Sequence, residues 1–112
     1  MAVIQRMSEE EYEQFVLSGI DGAWELHDGR LVEKPGMTWE HHDIITLLGH
    51  LLLQQLDRAE YRVFAESRVR GPTATIFMPD VAVIPTSYGK DFQGRPGTLA
   101  IFSQPLPLVV EV

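Results

Sequence analysis

The sequence predicts a mixed α/β domain of the α+β kind, with a central sheet flanked by helices. Three observations carry this. Residues 39–57 place apolar side chains at helical spacing over five turns or so. Residues 24–33 and 61–70 alternate in the manner of strands. Two short apolar runs, "VAVI" at 81–84 and "LVVEV" at 108–112, read as strands buried in a sheet. With 112 residues, one domain spanning 1–112 is expected.

The first element is a short helix. "SEEEYEQFVLS", residues 8–18, places Glu11 three residues after Ser8, which makes a capping box. Three glutamates in the first turn suit the helix dipole, and Gly19 suits the C-terminal end. "WELHDGRLVE" follows. Asp28-Gly29 between two alternating segments is a strong hairpin signal. Counting outward pairs His27 with Arg30, Leu26 with Leu31, and Glu25 with Val32.

After Pro35-Gly36 comes the longest helix. Ile44, Ile45, Leu47, Leu48, Leu51, Leu52 and Leu56 form a wide stripe, which predicts packing against the sheet. Residues 61–70 are expected to form one strand, followed by "ATIF" and a strand over 79–84. Residues 85–105 hold three glycines and three prolines at most positions where a turn could start. They read as a long loop with one helical turn near Leu99 to Phe102. "LPLVVEV" is the last strand.

Composition narrows the function classes. The formal charge of −7 argues against holding nucleic acid by surface charge alone. It leaves room for an enzyme that meets phosphate through a bound cation. The absence of cysteine excludes disulfides and thiolate metal sites. No apolar run is long enough to span a bilayer, and the N-terminal segment does not read as a signal peptide, so a cytoplasmic protein with no membrane partner is expected.

Two acids stand out. Asp80 heads the apolar run 81–84 behind Pro79, and Glu111 lies inside "VVEV". Asp is a poor strand residue, and an unpaired carboxylate in a core is costly. Asp80 reads either as a turn residue at the strand entry or as a metal ligand. If the two strands pair with both acids on one face, they form a hard oxygen site suited to Mg²⁺ or Mn²⁺. The competing reading puts both acids at a solvated sheet rim. His41 falls on the inward side of the long helix, since Ile45, Leu48 and Leu52 follow at helical intervals. It reads as a core histidine with one hydrogen bond or as a side chain looking into the site. His42, Asp43 and His50 fall on other faces.

These segments together, from "YEQFVLSGIDGAWELHDGRLVEKPG" through the long helix to "MPDVAVIP" and "LPLVVEV", resemble the Uma-two family of restriction-endonuclease-like proteins in the PD-(D/E)XK nuclease superfamily. Glu25-Leu26 with Gly29, His41, Pro79-Asp80 and Val110-Glu111-Val112 stand at the family's motif positions. The resemblance implies a restriction-endonuclease-like fold and a metal-dependent DNA endonuclease. Asp80 and Glu111 would hold Mg²⁺ or Mn²⁺, Glu25 would complete the shell or position water, and His41 would face the site. Three departures accompany it. Arg30 and Pro107 stand where the family often has acids. The catalytic lysine of the superfamily has no counterpart at its motif position, and neither Lys34 nor Lys90 matches. The resemblance therefore implies the N-terminal two-thirds of a nuclease domain, with the last helix and strand lying beyond Val112. Weak or absent activity is expected, and the alternative is a non-catalytic remnant that binds metal or a protein partner. An uncovered terminal strand further predicts a homodimer or higher oligomer that buries residues 106–112.

Overall fold

A computed structural model describes residues 6–112; the first five residues of the N-terminal segment lie outside it. The elements run α1 (Glu9–Leu17), β1 (Trp24–His27), β2 (Arg30–Glu33), α2 (Trp39–Gln55), β3 (Tyr61–Ala65), β4 (Arg68–Arg70), β5 (Ile76–Phe77), β6 (Val81–Pro85), a 3₁₀ turn (Thr86–Asp91), β7 (Ile101–Phe102) and β8 (Leu108–Val110). The fold is α+β, as expected, but the strands divide into two sheets. One has five strands in the order β2-β1-β5-β4-β7, and the other has three in the order β3-β6-β8. Only the β4–β7 pair is parallel.

α1 starts as its sequence requires. The Ser8 side chain accepts from the Glu11 amide, and Glu11 accepts from the Ser8 amide. The helix buries Tyr12 completely. The Tyr12 hydroxyl donates to the Trp24 carbonyl at 2.6 Å and accepts from Arg68 Nε at 3.0 Å. One phenol thus joins α1 to β1 and β4. Glu9, in the first turn of α1, pairs with Arg70 at the end of β4.

The hairpin has the register read from its turn, with Leu26 opposite Leu31 and His27 opposite Arg30. Asp28 and Gly29 both take positive φ, 50° and 81°, the geometry that two-residue hairpin turns favour. Glycine is required at 29 for a second reason. A Cβ there would lie 2.8 Å from Arg6 Cβ, because residue 29 exchanges backbone hydrogen bonds with Met7 and Ala74. The hairpin is therefore fastened at its tip.

Three expectations need correction. The stretch 61–70 is two strands in different sheets. Glu66 takes φ 53° and its amide donates to the Asp80 carbonyl, which turns the chain between β3 and β4. The alternating pattern conceals this, because glutamate in a strand and glutamate in a left-handed bend look alike in sequence. The stretch 85–105 carries a 3₁₀ turn at Thr86–Asp91, and its Leu99–Phe102 end holds β7 in place of a helical turn. Ile101 and Phe102 point to opposite faces. Ile101 joins Tyr12, Leu26 and Ile76 in one core, and Phe102 joins Ala82 and Ile84 in another. Last, α2 packs on β3 and β6 but buries only Ile45. Ile44, Leu47 and Leu51 remain exposed, since a three-stranded sheet on one side of the helix cannot cover so wide a stripe.

Replacing Tyr12 with phenylalanine leaves the Trp24 carbonyl and Arg68 without their buried partner. The expected loss is about 1–3 kcal/mol in urea unfolding, with the helical circular-dichroism signal of the folded protein unchanged.

Candidate active site

The two strands that carry the acids pair directly. β6 and β8 run antiparallel, with Val81 opposite Val110 and Val83 opposite Leu108. One further step along that register brings Asp80 opposite Glu111. Both residues lie just outside the strands, at the sheet's end, where a cleft of about 270 Å³ opens. Lys34, His41, Glu66, Asp80, Glu111 and Val112 are among its lining residues.

Asp80 is 1% exposed, so its carboxylate must be compensated from within the protein. Two hydrogen-bond donors and a neighbouring histidine do this. Lys34 Nζ lies 3.0 Å from Oδ1, the Val112 amide donates to Oδ2 at 2.8 Å, and His41 Nε2 lies 3.3 Å from Oδ2. Burial alone pushes the Asp80 carboxyl up. The Val112 amide, Lys34 and His41 together outweigh it and hold the group below the ordinary aspartate value.

Glu111 behaves in the opposite way. Its side chain remains 62% exposed, and Lys34 Nζ lies 3.8 Å from its Oε2. Partial burial against the cleft wall raises its carboxyl above the ordinary glutamate value. The charges of Asp80 and Glu25 add to this, and Lys34 opposes it. The two acids thus differ in character, one deep and fixed as a carboxylate, the other exposed and more readily protonated.

His41 reaches the site from the third residue of α2. Thr38 caps that helix by accepting from the His41 amide at 3.2 Å, which sets the first turn against the cleft. His42, Asp43 and His50 are exposed. Glu25 stands one layer back, in β1. Its Oε2 accepts from the Met78 amide at 2.6 Å, and its Oε1 meets His27 Nε2 at 2.8 Å. Both oxygens are engaged, so Glu25 braces the segment that leads into Asp80 and does not line the cleft.

The donor set fits a hard cation in part. Asp80 Oδ1, Glu111 Oε2 and the Met78 carbonyl all face one ammonium, that of Lys34. Oxygens that share one positive charge are suitably placed to share another. Among the described residues no three histidine or acidic side chains converge on one point. Mg²⁺ needs no such cage, since it is commonly held by one or two carboxylates with water in the remaining positions.

The model of the Uma2 family, described as "Putative restriction endonuclease", matches residues 9–112. The chain belongs to the Uma2 family. No curated protein and no solved structure matches it. Membership is consistent with the PD-(D/E)XK nuclease superfamily and with a nuclease-like function in general. In this Uma2 chain Asp80, Glu111 and His41 meet in one cleft, with Glu25 behind them. No helix among the described residues is long and apolar enough to cross a membrane.

Sequence reasoning gives no role to three participants, Lys34 among them because it matches no motif. Lys34 sits beyond the hairpin, 46 positions from Asp80, with no periodicity to aim it. It is one of only two lysines, and that scarcity was the available signal. The other, Lys90, is exposed on the 3₁₀ turn and does not line the cleft. Glu66 reaches the cleft through its bend, and Val112 contributes a backbone amide that no side-chain pattern reveals.

Because the folded-state value of Asp80 is lowered, its stabilising contribution is complete above the ordinary aspartate range and is lost as pH falls through the lowered value. Asp80→Asn in chelator should cost roughly 1.5–3 kcal/mol at pH 7, the range for hydrogen bonds to a charged group. Urea unfolding across acid pH should show the two proteins converging as Asp80 protonates.

Proposed function

We propose that the cleft binds a divalent cation, Mg²⁺ or Mn²⁺, through Asp80 and Glu111, and that the protein is a DNA endonuclease whose phosphodiester hydrolysis is weak, since no lysine stands at the superfamily's motif position. The pairing of β6 with β8 is the observation that supports this most directly. It sets a buried and an exposed carboxylate opposite each other in a chain of a restriction-endonuclease family. A cation bound there would polarise the scissile phosphate and lower the pKa of an attacking water.

The protein's own groups supply the rest. Asp80 is held as a carboxylate by the Val112 amide and by Lys34, so it offers a negative anchor at the base of the cleft. Glu111 stays largely in solvent, so its carboxylate is open to an incoming cation. His41 Nε2 lies 3.3 Å from Asp80 Oδ2 and closes that side of the carboxylate. Glu25 fixes the Met78 amide and, through it, the approach to Asp80. With a net charge of −7, the phosphate contact depends on the cation and not on a broad basic surface.

We also propose a homodimer formed through β8. Leu108, Val109 and Val112 are 40%, 49% and 46% exposed. β8 is the outer strand of its sheet, so its far edge is unpaired among the described residues. Two antiparallel copies of one edge strand pair about a two-fold axis and extend the sheet continuously.

Supercoiled plasmid with enzyme in excess tests the first reading. Nicking should require Mg²⁺ or Mn²⁺ and fall at least about a hundredfold in Glu111→Gln and Asp80→Asn, the scale of losing one transition-state contact. Wild-type protein that leaves the plasmid intact would replace the endonuclease reading with that of a non-catalytic cation-binding module. For the dimer, light scattering at low micromolar concentration should give twice the 12.7 kDa chain mass. Val109→Lys should give the single mass, and a wild-type monomer that binds no hydrophobic dye would exclude the interface.

A further inference from the structure

Lys34 has the features of a resident cation. Its ammonium is held among the oxygens assigned above to the divalent ion: Asp80 Oδ1 at 3.0 Å, Glu111 Oε2 at 3.8 Å, and the Met78 carbonyl. Its side chain is only 17% exposed. An ammonium donates protons to oxygen lone pairs, and a hard cation needs those same lone pairs. The two cannot share them at this spacing, because the positive charges would repel.

We propose that Lys34 is a built-in counter-ion that competes with the divalent cation, so that ion binding requires the ammonium to leave Asp80 and Met78. This rests on the reading of Asp80 and Glu111 as the cation's ligands. The arrangement suits such an exchange. Lysine carries its charge on a flexible four-carbon stem with rotatable donors, unlike the rigid fork of arginine. The Lys34 backbone stays in place while the side chain moves, since its amide donates to the Ala23 carbonyl at 2.8 Å. The cleft gives the displaced head a place to go. Glu66 lines the same space, and the chain beside Lys34 is open at Gly36, where an added Cβ would meet nothing within 4 Å. With the ion absent, Lys34 offsets the repulsion between Asp80 and Glu111. With the ion bound, Glu66 is the remaining acid among the cleft's lining residues. Ion affinity is therefore set by the lysine as well as by the ligands.

The test uses the full chain and Mn²⁺. Calorimetric titration should show Lys34→Met binding Mn²⁺ at least about tenfold more tightly than wild type, because a like charge no longer opposes entry. Asp80→Asn should bind far more weakly than either. A second measurement needs no variant. Trace acylation of amines, read by mass spectrometry, reports Lys34 against Lys90, the exposed internal reference. The Lys34 to Lys90 labelling ratio should rise severalfold on saturation with Mn²⁺. Equal or weaker binding by Lys34→Met, or a labelling ratio that Mn²⁺ leaves unchanged, overturns the competition. Binding that is indifferent to Asp80→Asn, or no binding by any of the proteins, overturns the cation site itself and the competition with it. Plasmid nicking plays no part in these readouts, so loss of the endonuclease reading and loss of the lysine competition are separable.

Discussion

The buried carboxylate of Asp80 is the constraint around which the cleft is built. A charge this deep costs several kcal/mol to desolvate unless hydrogen bonds and opposite charge surround it. The charge and its three partners come from four separate places in the chain. Lys34 follows β2, His41 opens α2, Val112 follows β8, and Asp80 itself heads β6. None of these segments can shift far without leaving that charge uncompensated. The site's geometry and the fold's integrity are in this respect one problem.

The hairpin solves the second half of it. Pro79 has no amide proton, so the segment leading to Asp80 cannot join a ladder in the usual way. Both polar groups of the Met78 backbone are held instead by side chains of the hairpin. Glu25 of β1 accepts from its amide, and Lys34 beyond β2 donates to its carbonyl. The hairpin is itself fastened at its tip, where Gly29 donates to Ala74 and Asp28 donates to the Thr75 hydroxyl. Glu25 therefore braces the backbone one step removed from the cleft.

Much of this was legible in the sequence, for local reasons. The capping box at Ser8, the Asp28-Gly29 register and the α2 span follow from hydrogen-bonding rules within a few residues. The inward direction of His41 follows from helical periodicity, and the apolar runs mark both acid-bearing strands while leaving their pairing open. What escaped notice is non-local or conformational. Nothing in "VEKPG" directs Lys34 toward a residue 46 positions away. Glu66 continues a strand-like alternation while its backbone has already turned to φ 53°. β7 is two residues long, too short for any period to register, and it is recognisable only from the parallel partner it finds in β4. The separation of the strands into two sheets follows from that bend at Glu66, and so lay out of reach of pattern reading as well.

The contrast between the two acids has a consequence for how the cleft can work. A site with two equally buried carboxylates would hold a proton or a cation permanently, since both charges could not persist unpaired. Here the burden is divided. Asp80 is buried and held as a carboxylate by the Val112 amide, with Lys34 and His41 beside it. Glu111 has no such set of donors, stays largely in solvent, and carries the raised carboxyl. Glu111 is therefore the acid that changes protonation state more readily. Lys34 stands between them, bonded to the one and within reach of the other. Its position couples the fixed charge to the changeable one, which makes it the element of the cleft that decides what else can enter.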